Sequence, residues 1–75
     1  MTYSEAIAEA AKYNINDYKK RGVKLHGMTF FPVKIAARPH PDPKGTNHEA
    51  CVELELLSSD NIHMPIKEYL DMLKA

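Results

Sequence analysis

The fold is decided by two stretches of the sequence, FPVKIAAR at residues 31–38 and EACVELEL at residues 49–56. In the first stretch the odd-numbered positions are apolar and the cations occupy even-numbered positions, whereas in the second stretch the even-numbered positions are apolar. Alternation with a period of two is typical of a strand that buries one face. We therefore predict two antiparallel strands, joined by the proline-rich segment 39–47.

The alternation also predicts which residues face the core. These are Phe31, Val33, Ile35 and Ala37 on the first strand, and Ala50, Val52, Leu54 and Leu56 on the second. Because the inward positions have opposite parity, the numbers of directly paired residues must sum to an odd number. A sum of 87 pairs Lys34 with Glu53 and Arg38 with Glu49, whereas a sum of 89 keeps only one such pair. Each opposite-charge pair contributes about 0.2–1 kcal/mol, so we predict the register of 87.

Prolines mark the irregular points of this hairpin. Pro32 has no amide hydrogen to give to a ladder, which predicts an edge position or a bulge. The tetrapeptide at residues 42–45 places Asp first, Pro second and Gly fourth, the pattern of a type I turn.

The chain begins with a predicted helix. Thr2 is positioned to cap it, and Glu5 completes a capping box. Apolar residues then recur at helical spacing as far as Tyr18, the cations of residues 19–21 fall in the last turn, and Gly22 is the expected stop. The polar stretch at residues 14–17 favours caps and turns, which leaves a split into two helices as the alternative.

The remaining segments complete an α+β domain. Residues 23–26 and 62–64 are each suited to one short strand, and Pro65 begins a closing helix whose apolar face carries Ile66, Leu70 and Leu73. We predict a single compact domain over residues 1–75. It consists of an antiparallel sheet of three or four strands, with the N- and C-terminal helices packed on one face.

Composition limits the compartment and the chemistry. The one cysteine, Cys51, cannot form an internal disulfide, which indicates a reducing cytoplasm. We see no signal peptide and no apolar run long enough to span a membrane. The net charge of zero argues against a nucleic-acid binder that relies on bulk positive charge.

The charges are distributed unequally. Residues 1–47 hold eight basic and four acidic side chains, whereas residues 48–75 hold two and six. The dense clusters are an acidic row, formed by Glu49, Glu53 and Glu55, and a basic cluster, formed by Lys19, Lys20, Arg21 and Lys24. Such clusters can select a partner by charge complementarity.

We therefore expect a small non-catalytic module that binds a protein partner through these two clusters, in the manner of phage-type inhibitors and regulators. The alternative is a domain that binds RNA or DNA through the basic cluster, or a small nuclease with His26 as general base. The sequence leaves the oligomeric state open.

No other chemistry is indicated. His40, His48 and Cys51 do not have the spacing of a zinc site. A nucleophilic site would require Cys51 beside the imidazole of His48 or His63. We predict no catalytic residue, no metal and no cofactor.

Overall fold

The computed structural model describes residues 1–39, 47–57 and 61–74. Within them the chain forms, in order, α1 (Tyr3–Ala10), a 3-10 turn (Ile15–Asp17), β1 (Val23–Leu25), β2 (Met28–Pro39), β3 (His48–Glu55), β4 (Asn61–Pro65) and α2 (Ile66–Lys74). The strands form one antiparallel sheet in the order β1-β2-β3-β4, and both helices pack against the core on one of its faces. The predicted α+β architecture is confirmed. The turn predicted at residues 42–45 and the side chain of His40 lie outside the described residues.

The first helix has the predicted start but a different end. Thr2 Oγ1 accepts a hydrogen bond from the amide of Glu5 at 3.1 Å, and the Thr2 amide donates to Glu5 Oε1 at 2.9 Å. The helix ends at Ala10, so the prediction that it continues to the cations before Gly22 is wrong. Asn14 Oδ1 accepts from the amide of Asn16 at 3.0 Å and begins the 3-10 turn. This bond replaces a helical one, as expected where an asparagine side chain competes for the backbone.

The central hairpin has the predicted register over most of its length. From Lys34 to Pro39 the paired numbers sum to 87, so that Lys34 lies opposite Glu53 and Arg38 opposite Glu49. The register shifts between Pro32 and Lys34, where Pro32 pairs with Leu54 and Val33 is the extra residue. The irregularity predicted at Pro32 is confirmed as a bulge.

The bulge reverses the faces of the first part of β2. Phe31 is 44% exposed and Val33 is 39% exposed, so the prediction that they face the core is wrong. Phe30, which is 6% exposed, and Pro32 are buried in their place. A prediction that continues the alternation through an inserted residue assigns every residue before it to the wrong face.

The strand predicted at residues 62–64 forms as β4, and the segment 23–26, for which the sequence left a strand open, forms β1. β1 joins β2 through His26 and Gly27, whose φ angles of 54° and 78° are both positive. Two consecutive residues with positive φ are the signature of a type I′ hairpin turn, which matches the twist of the flanking strands. Pro65 is the last residue of β4, so α2 begins one residue later than predicted.

The core lies between the sheet and the two helices. Val52 and Leu54 of β3 are fully buried, as is Tyr69 of α2. The Tyr69 hydroxyl donates to the carbonyl oxygen of Arg21 at 2.6 Å, and its ring packs edge-on against Tyr18 at 6.0 Å. Burial raises the pKa of this hydroxyl. The buried hydroxyl of Tyr69 thus has a hydrogen-bond partner, and this bond connects α2 to the segment that precedes β1.

Among the described residues, no helix has the length and apolar character needed to cross a membrane.

We expect Tyr69→Phe to lower the free energy of unfolding by about 1 kcal/mol, because the ring stays packed while the Arg21 carbonyl loses its donor. Urea denaturation measures the difference. The matched control is Tyr3→Phe, since Tyr3 is 56% exposed. Equal effects of the two substitutions would contradict a role for the Tyr69 hydroxyl bond.

Candidate docking surface

The face of the sheet opposite the helices carries most of the polar residues singled out in the sequence. Ala50, Val52 and Leu54 of β3 are buried in one cluster with residues of α2, and side chains alternate along a strand. The odd-numbered residues therefore lie on the opposite face; they are Glu49, Cys51, Glu53 and Glu55. We call this surface the open face, because both helices pack on the other side. Its further members are Lys24 and Thr29 near β1, Phe31, Lys34, Ala36 and Arg38 on β2, and Asn61, His63 and Pro65 on β4.

Glu53 is held in place by β4. Its Oε1 accepts a hydrogen bond from His63 Nε2 at 3.0 Å, and its Oε2 accepts from Asn61 Nδ2 at 3.1 Å. On its other side Glu53 lies opposite Lys34 of β2. Both carboxylate oxygens are thus used within the sheet. Glu53 therefore links β3 to β4 on the open face.

The acidic row is interleaved with other residue types. Glu49 lies opposite Arg38, and Glu55 lies between Phe31 on β2 and Asn61 on β4. All three glutamates of the row are half-buried. The open face is therefore a surface of mixed charge with an apolar region at Phe31, rather than a uniformly acidic one.

Phe31 and the two cations of β2 were not among the predicted site residues. Phe31 was assigned to the core because the alternation was carried through Pro32. Placing the bulge after Pro32 would have turned Phe31 outward. The cations Lys34 and Arg38 were recognised only as partners of the acidic row, although both are exposed.

The structure divides the basic cluster. Lys19, Lys20 and Arg21 are consecutive exposed residues ahead of β1. Because α1 ends at Ala10, they do not complement a helix dipole as the sequence suggested. Lys24 pairs with Thr29 on β1 and belongs to the open face.

Cys51 lies at the centre of the open face, yet only 7% of it is exposed. Its cross-strand neighbours are Ala36 and Pro65. Beside it is a recess of about 20 Å³, lined by Lys34, Ala36, Arg38, Cys51, Glu53 and His63. This volume is enough for a single water molecule, and it is far below the size of a small-molecule site.

The same recess brings together the cysteine and one histidine considered for nucleophilic chemistry. Burial is the main cause that raises the pKa of the Cys51 thiol, and the neighbouring Glu49 raises it further. The Nε2 atom of His63 already donates to Glu53. The other histidine, His48, packs its ring against Tyr3 at 5.2 Å. A reactive cysteine needs a lowered pKa, so this arrangement favours a protonated, structural thiol.

His26 and the candidate metal ligands are placed differently. His26 is exposed at the tip of the β1–β2 turn, where it supports the hairpin rather than lining a cleft. Within the part of the chain that the structure describes, no three His, Cys, Asp or Glu side chains are grouped to hold a metal ion.

One wider groove opens between β1 and the end of α2. It has a volume of about 390 Å³ and is lined by Gly22, Val23, Lys24, Met72 and Leu73. Its lining combines residues at the start of β1 with apolar side chains near the end of α2.

We expect Cys51 to react with a disulfide reagent such as DTNB at pH 7 about tenfold or more slowly in the folded protein than in the urea-unfolded protein. Burial lowers the thiolate fraction of Cys51 and blocks the approach of the reagent to its sulfur atom. The absorbance of the released thiolate measures the rate. A folded-state rate equal to or above the unfolded-state rate would show an activated thiolate and would restore the nucleophilic hypothesis.

No known protein family, curated protein or solved structure matches this chain.

Proposed function

We propose that the chain is a non-catalytic binding module that docks its open face on a protein partner. The observation that carries the proposal is the exposure of Phe31 on a sheet face that neither helix covers. Protein interfaces combine apolar or aromatic anchors with a polar rim. Here Phe31 supplies the anchor, while Glu55 and Lys34 lie next to it as the rim.

The scaffold beneath this face supports the proposal. β2 and β3 are the two central strands, and β3 is paired on both sides. Glu53 is fixed by His63 and Asn61 before any partner arrives. Groups that are already ordered lose little conformational entropy on binding, and an ordered pattern of opposite charges favours partners with the complementary pattern.

A module that only binds would act as an inhibitor or regulator of its partner, as phage-type proteins of this size do. We place it in the cytoplasm, because the free thiol of Cys51 suits a reducing compartment. The partner we expect presents an apolar pocket for Phe31 and a basic group for Glu55.

The test compares tagged proteins in an extract of the organism that encodes the chain. The open-face variant carries Phe31→Ala and Glu55→Lys. The matched control carries Ile7→Ala and Asp71→Lys, which truncate one exposed apolar side chain and reverse one exposed carboxylate on the helices. Since anchors carry most of the binding free energy, we expect the amount of partner protein recovered with the open-face variant to fall about tenfold or more. The control should recover as much partner protein as the unsubstituted chain. Equal retention by the two variants would refute the proposal.

The second candidate function is nucleic-acid binding, and it rests on the basic cluster. Lys19, Lys20 and Arg21 are exposed and serve no helix end, so their charges are available to phosphates. Such contacts would make the affinity fall steeply as salt concentration rises.

If nucleic acid is the ligand, Lys20→Glu with Arg21→Glu should abolish salt-sensitive retention of labelled RNA, and Lys67→Glu with Lys74→Glu should leave it unchanged. Filter binding between 50 and 200 mM salt, a range over which phosphate contacts weaken strongly, measures the effect. Absence of binding by the unsubstituted protein would reject this candidate. Cleavage of the RNA that is lost in His26→Ala would assign the nuclease version.

A further inference from the structure

Within the described part of the chain, one edge of β2 has no neighbouring strand over most of its length. β1 pairs only with Met28–Phe30, whereas β3 pairs with residues from Phe31 to Pro39 on the opposite side of β2. Among residues 1–39, 47–57 and 61–74, no further strand adjoins this edge, and no loop or turn donates a backbone hydrogen bond to it. Unpaired strand edges can accept another strand.

The pairing shows which backbone groups point toward this free edge. The amide of His48 donates to the carbonyl of Met1 at 2.8 Å, so it points away from its partner Pro39. Hydrogen-bonded and non-hydrogen-bonded pairs alternate in an antiparallel ladder. Counting back from Pro39, the N–H and C=O groups of Ala37 and Ile35 therefore point away from β3, toward the free edge.

Two prolines limit the edge. By the same alternation Pro39 directs its nitrogen to the free side. Leu25 and Met28 flank the β1–β2 turn as a hydrogen-bonded pair. Counting every second residue from Met28 shows that the nitrogen of Pro32 also points to the free side. Neither proline has an N–H to donate. The edge therefore offers donors only at Ile35 and Ala37, enough for an added strand of about five residues.

The side chains of this stretch favour one kind of occupant. Lys34 and Arg38 are exposed on the open face, four residues apart, with Ala36 between them. An added strand would place its own side chains directly beside these cations, and opposite charges are favoured at such positions. β3 already satisfies this preference on the other side of β2, where Glu53 and Glu49 lie opposite the same two cations.

A second copy of this chain is a poor occupant. The antiparallel pairing that uses the donors of Ile35 and Ala37 in both copies would place Lys34 of each copy opposite Arg38 of the other. Like charges directly opposite each other destabilise a sheet. The charges of the edge thus favour a different chain that brings carboxylates.

We propose that the free edge of β2 between Pro32 and Pro39 binds an extended acidic peptide segment of a partner protein by strand addition. Main-chain hydrogen bonds at Ile35 and Ala37 supply affinity, and acidic side chains four residues apart supply specificity through Lys34 and Arg38. This proposal goes beyond docking on the open face, because it uses the strand edge and does not require Phe31 or Glu55.

The experiment uses two capped peptides and the full chain labelled with nitrogen-15. The acidic peptide copies residues 48–54 with serine in place of Cys51, and the control peptide replaces both of its glutamates with lysine. We expect the acidic peptide alone to shift the amide resonances of Ile35 and Ala37 and to slow their hydrogen exchange. Lys34→Gln with Arg38→Gln should weaken binding by about tenfold through the loss of two cross-strand charge pairs.

Ala37→Pro removes one N–H donor of the free edge that the sheet itself does not use. It should abolish the resonance shifts caused by the acidic peptide. The thermal unfolding curve should stay close to that of the unsubstituted chain. Phe31→Ala with Glu55→Lys should leave peptide binding unchanged, which separates this proposal from docking on the open face. Equal binding of the acidic and lysine peptides, or shifts that spare Ile35 and Ala37, would overturn the proposal. Protection of the same amides by self-association at high protein concentration would overturn it in favour of a second copy.

Discussion

Pro32 imposes the constraint on which the arrangement of the sheet depends. If the β1–β2 register continued by two residues, Arg21 would lie opposite Pro32 in a hydrogen-bonded position. Pro32 has no N–H for the Arg21 carbonyl, and the Tyr69 hydroxyl donates to that carbonyl instead. The missing amide thus coincides with the end of β1, with the bulge at Val33 and with the contact that brings α2 onto the core.

The same constraint shapes both candidate binding surfaces. Because the bulge reverses the faces of β2, Phe30 enters the core and Phe31 becomes the exposed aromatic of the open face. Because β1 stops at Val23, no described strand pairs with this edge over the rest of β2. A residue that weakens one hydrogen-bond ladder therefore coincides with an exposed aromatic side chain and with a strand edge that no described strand pairs with.

Sequence reasoning succeeded where the signal was periodic and failed where one residue interrupted the period. Charge pairing identified the register of residues 34–39, and the capping box identified the start of α1. The alternation alone could not locate the inserted residue, so Phe31 and Val33 were assigned to the wrong face. The first helix was extended too far because its apolar spacing continues beyond Ala10, although Asn14 supplies a local alternative. The three glutamates lie on the face predicted for them, but the bonds from His63 and Asn61 to Glu53 required the third dimension.

The strand order β1-β2-β3-β4 has a kinetic consequence. Every strand pairs only with its neighbours in the chain, so each pairing in the sheet closes a short loop. Pairings between neighbouring segments have a smaller entropic barrier to formation than pairings between distant ones. The bond between Tyr69 and Arg21, residues 48 positions apart, spans a far longer loop. If the hairpins form first, this bond joins the last helix to strands that are already ordered, and its closure then costs less conformational entropy than in the unfolded chain.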